Sequence, residues 1–123
     1  MSSRFLRAGT QISFGAPATP MPDVIADAIG HLVQQVPGIT EAHLPQCFIE
    51  GDTEARQVLV IGVRDMEAVP RLIQELTDLL KPVVPVGKLI DIIPFQESKV
   101  PTAVRAAGCR IFGQANRPWW KLW

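Results

Sequence analysis

The sequence predicts a single α+β domain, and three observations lead to this class. Apolar residues recur at a spacing of three and four over residues 22–36 and again over residues 66–80, which is the period of an amphipathic helix. The segments between and after these helices are apolar, rich in β-branched residues and bounded by glycine and proline, as strands are. The chain of 123 residues is 47% apolar, which suits one globular core.

The first half of the chain provides a strand, a helix and one arm of a hairpin. Residues 5–14 alternate imperfectly before a segment rich in proline, so we predict a first strand there. The helix over residues 22–36 carries acids in its first turns and stops at Pro37-Gly38. Residues 39–50 are predicted to form a strand in which Pro45 marks an edge position or a bulge.

The second half completes the pattern. Residues 58–63 are continuously apolar, as expected for a strand covered on both faces, so this strand is placed at the centre of the sheet. The second helix is expected to begin at Met66 or Pro70 and to end at Leu80. Two shorter elements are predicted after it: a strand over residues 88–95 and a helix over residues 101–107, which leads to Cys-Arg-Ile-Phe over residues 109–112.

Strand, helix, strand, strand, helix, strand is the order of a ferredoxin-like βαββαβ sandwich, an antiparallel sheet with both helices on one face. We therefore predict one domain over residues 1–113, followed by a C-terminal extension over residues 114–123. The second face of the sheet is expected to stay open. The extension, a second copy or another protein would then cover it.

Charge and cysteine content bear on location and partners. The net charge is zero, but residues 9–98 hold twelve acids against five bases, whereas residues 99–123 hold five bases and no acid. Such an uneven charge distribution bears on the choice of partner rather than on the fold.

No apolar run reaches the roughly 20 residues of a membrane span, and no secretory signal is evident. With only two distant cysteines, the chain is expected to be cytoplasmic, with thiols rather than a disulfide.

Three segments resemble a known family. They are Val-Pro-Gly-Ile-Thr-Glu-Ala-His-Leu-Pro-Gln over residues 36–46, Gln-Val-Leu-Val-Ile-Gly-Val over residues 57–63 and Leu-Ile-Asp-Ile-Ile-Pro-Phe over residues 89–95. In order and spacing these resemble the C-terminal domain of the SseB (enhanced serine sensitivity) proteins of bacteria. His43 and Pro45 stand where that family tends to have tyrosine and alanine. The resemblance supports the predicted fold, and it implies no catalytic residue.

A thiol site is the main catalytic alternative. His43 and Cys47 are four residues apart in a predicted strand, so alternation places them on one face. An adjacent imidazolium lowers a thiol pKa and would prepare Cys47 as a nucleophile. Pro45 lies between them and no orienting acid or amide is evident, so a buried thiol beside a histidine is favoured. An enzyme is therefore left open but disfavoured.

Metal and cofactor sites are not predicted. Zinc sites use closely paired ligands, and this spacing is absent among the two histidines and two cysteines, which are His31, His43, Cys47 and Cys109. The acids of the 50–54 turn are too few for a calcium loop. The glycines near residues 108–113 lack the Lys-Ser or Lys-Thr of a phosphate loop. We expect no cofactor and no metal.

The segment over residues 114–123, called the Trp-rich tail below, is the strongest local anomaly. All three tryptophans of the chain lie in its last five residues and are interleaved with basic side chains. Tryptophan is enriched at binding hot spots, which predicts a docking element. Folding back onto the domain's own sheet is an equal alternative. Membrane-interface insertion and nucleic-acid binding rank lower, the latter because residues 9–98 are acidic.

These observations favour a non-catalytic module that acts through protein contacts, either with a protein partner or as a homo-oligomer. The expected contact surfaces are the open sheet face and the tail. The tail residues predicted to make the contact are Arg117, Trp119, Trp120, Lys121 and Trp123. The alternatives are a thiol enzyme using Cys47 with His43 and a weak nucleic-acid binder that uses the basic end.

Overall fold

A computed structural model describes residues 12–18, 21–51, 55–83 and 90–113 of the chain. It is an α+β fold with two sheets and three α-helices in the described ranges, which confirms the predicted class. The strands are β1 (Ile12–Gly15), β2 (Ile39–His43), β3 (Gln46–Ile49), β4 (Arg56–Gln57), β5 (Leu59–Val63), β6 (Ile92–Gln96) and β7 (Arg110–Phe112). The helices are α1 (Asp23–Gln34), α2 (Val69–Leu80) and α3 (Thr102–Ala106), with 3₁₀ turns at Met66–Ala68 and Glu97–Lys99.

The larger sheet has four strands in the order β6-β5-β2-β7. β5 pairs parallel with β6 and antiparallel with β2, and β7 pairs antiparallel with the other side of β2. All five residues of β5 are buried. The apolar strand over residues 58–63 therefore lies at the centre of the sheet, as predicted.

Residues 42–49 and 57–63 are predicted from the sequence to form the two arms of a hairpin. This hairpin is present, but it bends from one sheet into the other. β2 pairs with β5 in the larger sheet, whereas β3 pairs with β4 in a smaller sheet of order β1-β3-β4. The change of sheet falls at Leu44 and Pro45 on one arm and at Val58 on the other, where the Val58 amide donates to the Pro45 carbonyl over 3.0 Å. Proline has no amide to donate to a ladder, so the predicted interruption at Pro45 is a real bend.

Both long helices lie on one face of the larger sheet. Their apolar stripes pack on alternate residues of β5, namely Leu59, Ile61 and Val63. α1 ends before Gly38, whose φ of +100° suits glycine, and Pro70 lies in the first turn of α2, where its missing amide costs no helical hydrogen bond. No helix in the described ranges is long and apolar enough to cross a membrane.

The opposite face of the larger sheet is covered, so the prediction of an open face is wrong. Val60 of β5 and Val104 of α3 are completely buried in a second core beneath the smaller sheet. The ferredoxin-like arrangement is not confirmed, because β1 pairs with β3 in the smaller sheet instead of joining the larger one. The remaining buried members of this second core are Cys47, Ile49, Val58 and Val100.

Candidate functional site

A cluster of ionisable side chains lies in this second layer, between β2 and α3. Side chains alternate along β2, so Ala42 points to the helices while Glu41 and His43 point to the opposite face. His43 is completely buried and Glu41 is 7% exposed. A buried acid beside a buried histidine requires partners, since an unpaired charge is costly away from water.

Arg105 of α3 supplies the main partner. Its Nε donates to Glu41 Oε1 over 3.0 Å, and its Nη2 donates to Glu41 Oε2 over 3.1 Å. The same Nη2 donates to the Glu97 carbonyl over 2.9 Å. On the other side, His43 Nε2 lies 3.0 Å from Glu41 Oε1. The forked contact fixes α3 against β2, because a guanidinium and a carboxylate match in two parallel bonds.

The environment shifts the pKa of both strand residues downward. Burial raises the pKa of Glu41, but hydrogen bonds from Arg105 and His43 outweigh it, so the pKa falls below its ordinary value of 4.5. Burial lowers the pKa of His43, and the nearby guanidinium groups of Arg110 and Arg105 lower it further, although Glu41 opposes them. At neutral pH the cluster is therefore an anionic Glu41 between a cationic Arg105 and a neutral His43.

Acidification is expected to destabilise the fold in two steps. The folded pKa of His43 lies below its ordinary value of 6.5, so the unfolded chain binds more protons and stability falls as the pH drops through that value. The folded pKa of Glu41 lies below 4.5, so its contribution is present above 4.5 and is lost at lower pH. Chemical denaturation from about pH 7.5 to about pH 3 measures both steps.

The variant His43→Gln separates the two steps. It is expected to lose the decline that begins near pH 6.5 and to keep the acid decline of Glu41. If stability declines between about pH 7 and about pH 5 as steeply in this variant as in the unaltered chain, the assignment to His43 is contradicted.

Three buried polar atoms have no hydrogen-bond partner among the described residues. They are Thr40 Oγ1, His43 Nδ1 and Arg110 Nη1. His43 and Arg110 are also opposite each other in the β2–β7 register. A neutral imidazole that donates through Nε2 leaves Nδ1 as an acceptor, whereas a guanidinium only donates. The cluster thus has unused hydrogen-bonding capacity on the side of β7.

An open cleft of about 420 Å³ adjoins this side of the sheet. It lies between the start of α1, the segment after β1 and the turn that links α3 to β7. Met21, Ala26 and Ile111 line it with apolar surface, and Asp23 and Asp27 contribute carboxylates.

Close packing of α1 on β7 holds one wall of the cleft in place. A Cβ at Gly30 of α1 would lie 2.7 Å from the Ile111 carbonyl oxygen of β7. Arg110 and the half-buried Cys109 also line the cleft, and burial raises the pKa of the Cys109 thiol.

The residues of the predicted thiol site lie on different strands. His43 belongs to β2 of the larger sheet and contacts Glu41, whereas Cys47 belongs to β3 of the smaller sheet and is 1% exposed. The bend at Leu44 and Pro45 separates the two strands. Thiol reactivity at Cys47 stays a prediction.

The predicted contact residues of the tail, Arg117, Trp119, Trp120, Lys121 and Trp123, lie outside the described residues. Conversely, Glu41 and Arg105 belong to the candidate site but are not identifiable from the sequence, because 64 positions separate them. The available signal is an acid two residues before a histidine, which strand alternation places on the same face.

A comparison with protein families identifies the chain. The model of the SseB protein C-terminal domain matches residues 6–108, a range that includes both long helices, the bent hairpin and the Glu41, His43 and Arg105 cluster. No curated protein gives a significant match, and neither does any solved structure. The match confirms the resemblance seen in the three sequence segments. The chain belongs to the SseB C-terminal domain family.

Proposed function

We propose that this domain is a non-catalytic, cytoplasmic module that acts through protein contacts and self-associates. The contact element is the Trp-rich tail. The observation that carries the proposal is the placement of all three tryptophans within the last five residues, next to Arg117 and Lys121. An indole supplies a large apolar contact at a low cost in side-chain entropy, and arginine is the other residue enriched at hot spots.

The cluster of the buried Glu41 and His43 with the part-exposed Arg105 supports a structural rather than a catalytic role. A general base must reach the proton that it removes. His43 is completely buried, and its Nε2 is engaged by Glu41. Arg105 compensates the charge of Glu41, so the pair joins α3 to the sheet instead of presenting a reactive group.

The second face of the larger sheet is covered by β3 and α3 of the same chain. The proposal therefore does not use this face as a contact surface. The tail is then the remaining predicted contact element. A cluster of three indoles would be a large apolar patch on a monomer, and such patches mark interaction sites.

Removing residues 115–123 tests the proposal. The full chain is expected to sediment as an oligomer in the micromolar range, and the shortened chain as a monomer with an unchanged far-ultraviolet circular dichroism spectrum. The reason is that the deletion removes every tryptophan but none of the described core. The same number of chains per particle for the two proteins over the whole concentration range would reject self-association through the tail.

A matched variant separates aromatic from purely electrostatic association. Replacing all three tryptophans with serine keeps Arg117 and Lys121 and is expected to give a monomer, as the deletion does. Retention of the oligomer in this variant would show that the indoles are not the contact.

A further inference from the structure

We propose that the cleft beside α1 receives the Trp-rich tail of a second copy of this chain. The inference rests on the proposed function, since it takes the tail as the contact element and names the surface that the tail contacts. Three properties of the cleft support it: its apolar lining, its charge and its position relative to the end of β7.

The lining of the cleft suits an indole. Met21, Ala26 and Ile111 are each only partly buried, and Leu44 closes the base at 2% exposure. The cleft is open, has a volume of about 420 Å³, and combines these apolar side chains with the polar residues Gln57, Asp23 and Asp27. An aromatic side chain with one polar edge therefore matches both its size and its composition.

The charge of the cleft complements the tail. Asp23 and Asp27 are exposed on α1 and are four residues apart, which places both carboxylates on one side of the helix. Arg110 contributes one positive charge, so the three groups together carry a net negative charge. The tail contains Arg117 and Lys121 and no acid.

The direction of β7 favours a second copy over the tail of the same chain. The strand begins at Arg110, beside the cleft, and runs antiparallel to β2 toward Gly113, which lies against Thr40 and Glu41. Leu44, at the base of the cleft, is beyond the other end of β2. The chain therefore leaves the described domain heading away from its own cleft.

A charge-swap experiment tests the inference with two full-length variants. The first, Asp23→Lys with Asp27→Lys, makes the cleft basic. The second, Arg117→Glu with Lys121→Glu, makes the tail acidic. Each variant alone is expected to be monomeric, because its tail and cleft then carry like charges. An equimolar mixture is expected to form a heterodimer, because each tail meets a cleft of opposite charge.

Sedimentation of each variant and of the mixture gives the masses, and tryptophan emission follows the tails. Emission is expected to move to shorter wavelength when the two variants are mixed, because the indoles enter the cleft. Cooperative thermal unfolding of each variant verifies that it folds. The matched control is Glu67→Lys, an exposed carboxylate outside the cleft lining, which is expected to dimerise as the unaltered chain does.

The outcomes separate this inference from the proposed function. If deletion of the tail abolishes the dimer but both charge-reversed variants still dimerise, self-association stands and the cleft is not the receptor. If the variants are monomeric and their mixture gives no heterodimer, the inference is also overturned. Burial of the indoles in a monomer, independent of concentration, would show that each tail occupies its own cleft, and this too would overturn it.

Discussion

Replacing Glu41 with alanine is expected to lower the free energy of unfolding by about 3 kcal/mol. Glu41 accepts two hydrogen bonds from Arg105 and lies 3.0 Å from His43 Nε2. Without it, the completely buried His43 loses its partner and Arg105 loses its anion, so α3 loses its ionic contact with β2. Urea denaturation at neutral pH measures the difference.

Two further variants assign this effect. Glu41→Gln keeps the size and one of the two acceptor oxygens but removes the charge, so a loss of about half as much is expected. In a double-mutant cycle, Arg105→Ala should cost much less in the Glu41→Ala background than in the unaltered chain. Additive losses would show that the two side chains are not coupled, which would contradict the role of the pair.

Replacing Gly30 with valine is expected to cost about 2–3 kcal/mol, the upper part of the range for overpacking. The Cβ alone would lie 2.7 Å from the Ile111 carbonyl oxygen, and a backbone atom in a strand cannot rotate away as a side chain does. α1 must therefore move away from β7. Since Ile111 lines the cleft, the same variant is expected to weaken the proposed dimer.

The matched substitution on α1 is Gln34→Val. It introduces the same β-branched side chain at an exposed position of the same helix, so its effect is expected to stay within about 0.5 kcal/mol. Thermal unfolding of both variants gives the comparison. Valine is a better helix former than glycine, so helix propensity cannot cause a loss at Gly30. A loss at Gly30 no larger than the loss at Gln34 would contradict the close approach of α1 to β7.

Local pattern was sufficient to predict the helices and the central strand. α1 and α2 follow from apolar periodicity, and the central strand β5 follows from the continuously apolar residues 58–63, because each signal is carried by neighbouring residues. The bend at Pro45 was also detectable, since proline interrupts a ladder wherever it occurs. These features depend on short stretches of chain and need no knowledge of tertiary contacts.

Features set by distant parts of the chain were not predictable in the same way. The pairing of β1 with β3 depends on tertiary packing, so element order suggested an open sheet face where the structure has a second core. The contact between Glu41 and Arg105 likewise joins positions 64 residues apart, and no spacing rule links them. His43 was recognised as unusual, but its partner was not.

The emission of the three tryptophans on dilution tests the central claim most directly, because every indole of the chain lies in the tail. The measurement uses the unaltered protein, with its mass recorded at the same concentrations. Emission is expected to move to longer wavelength as the oligomer dissociates, in step with the fall in mass. An emission maximum that stays constant while the mass falls would contradict a contact made by the tail between two copies.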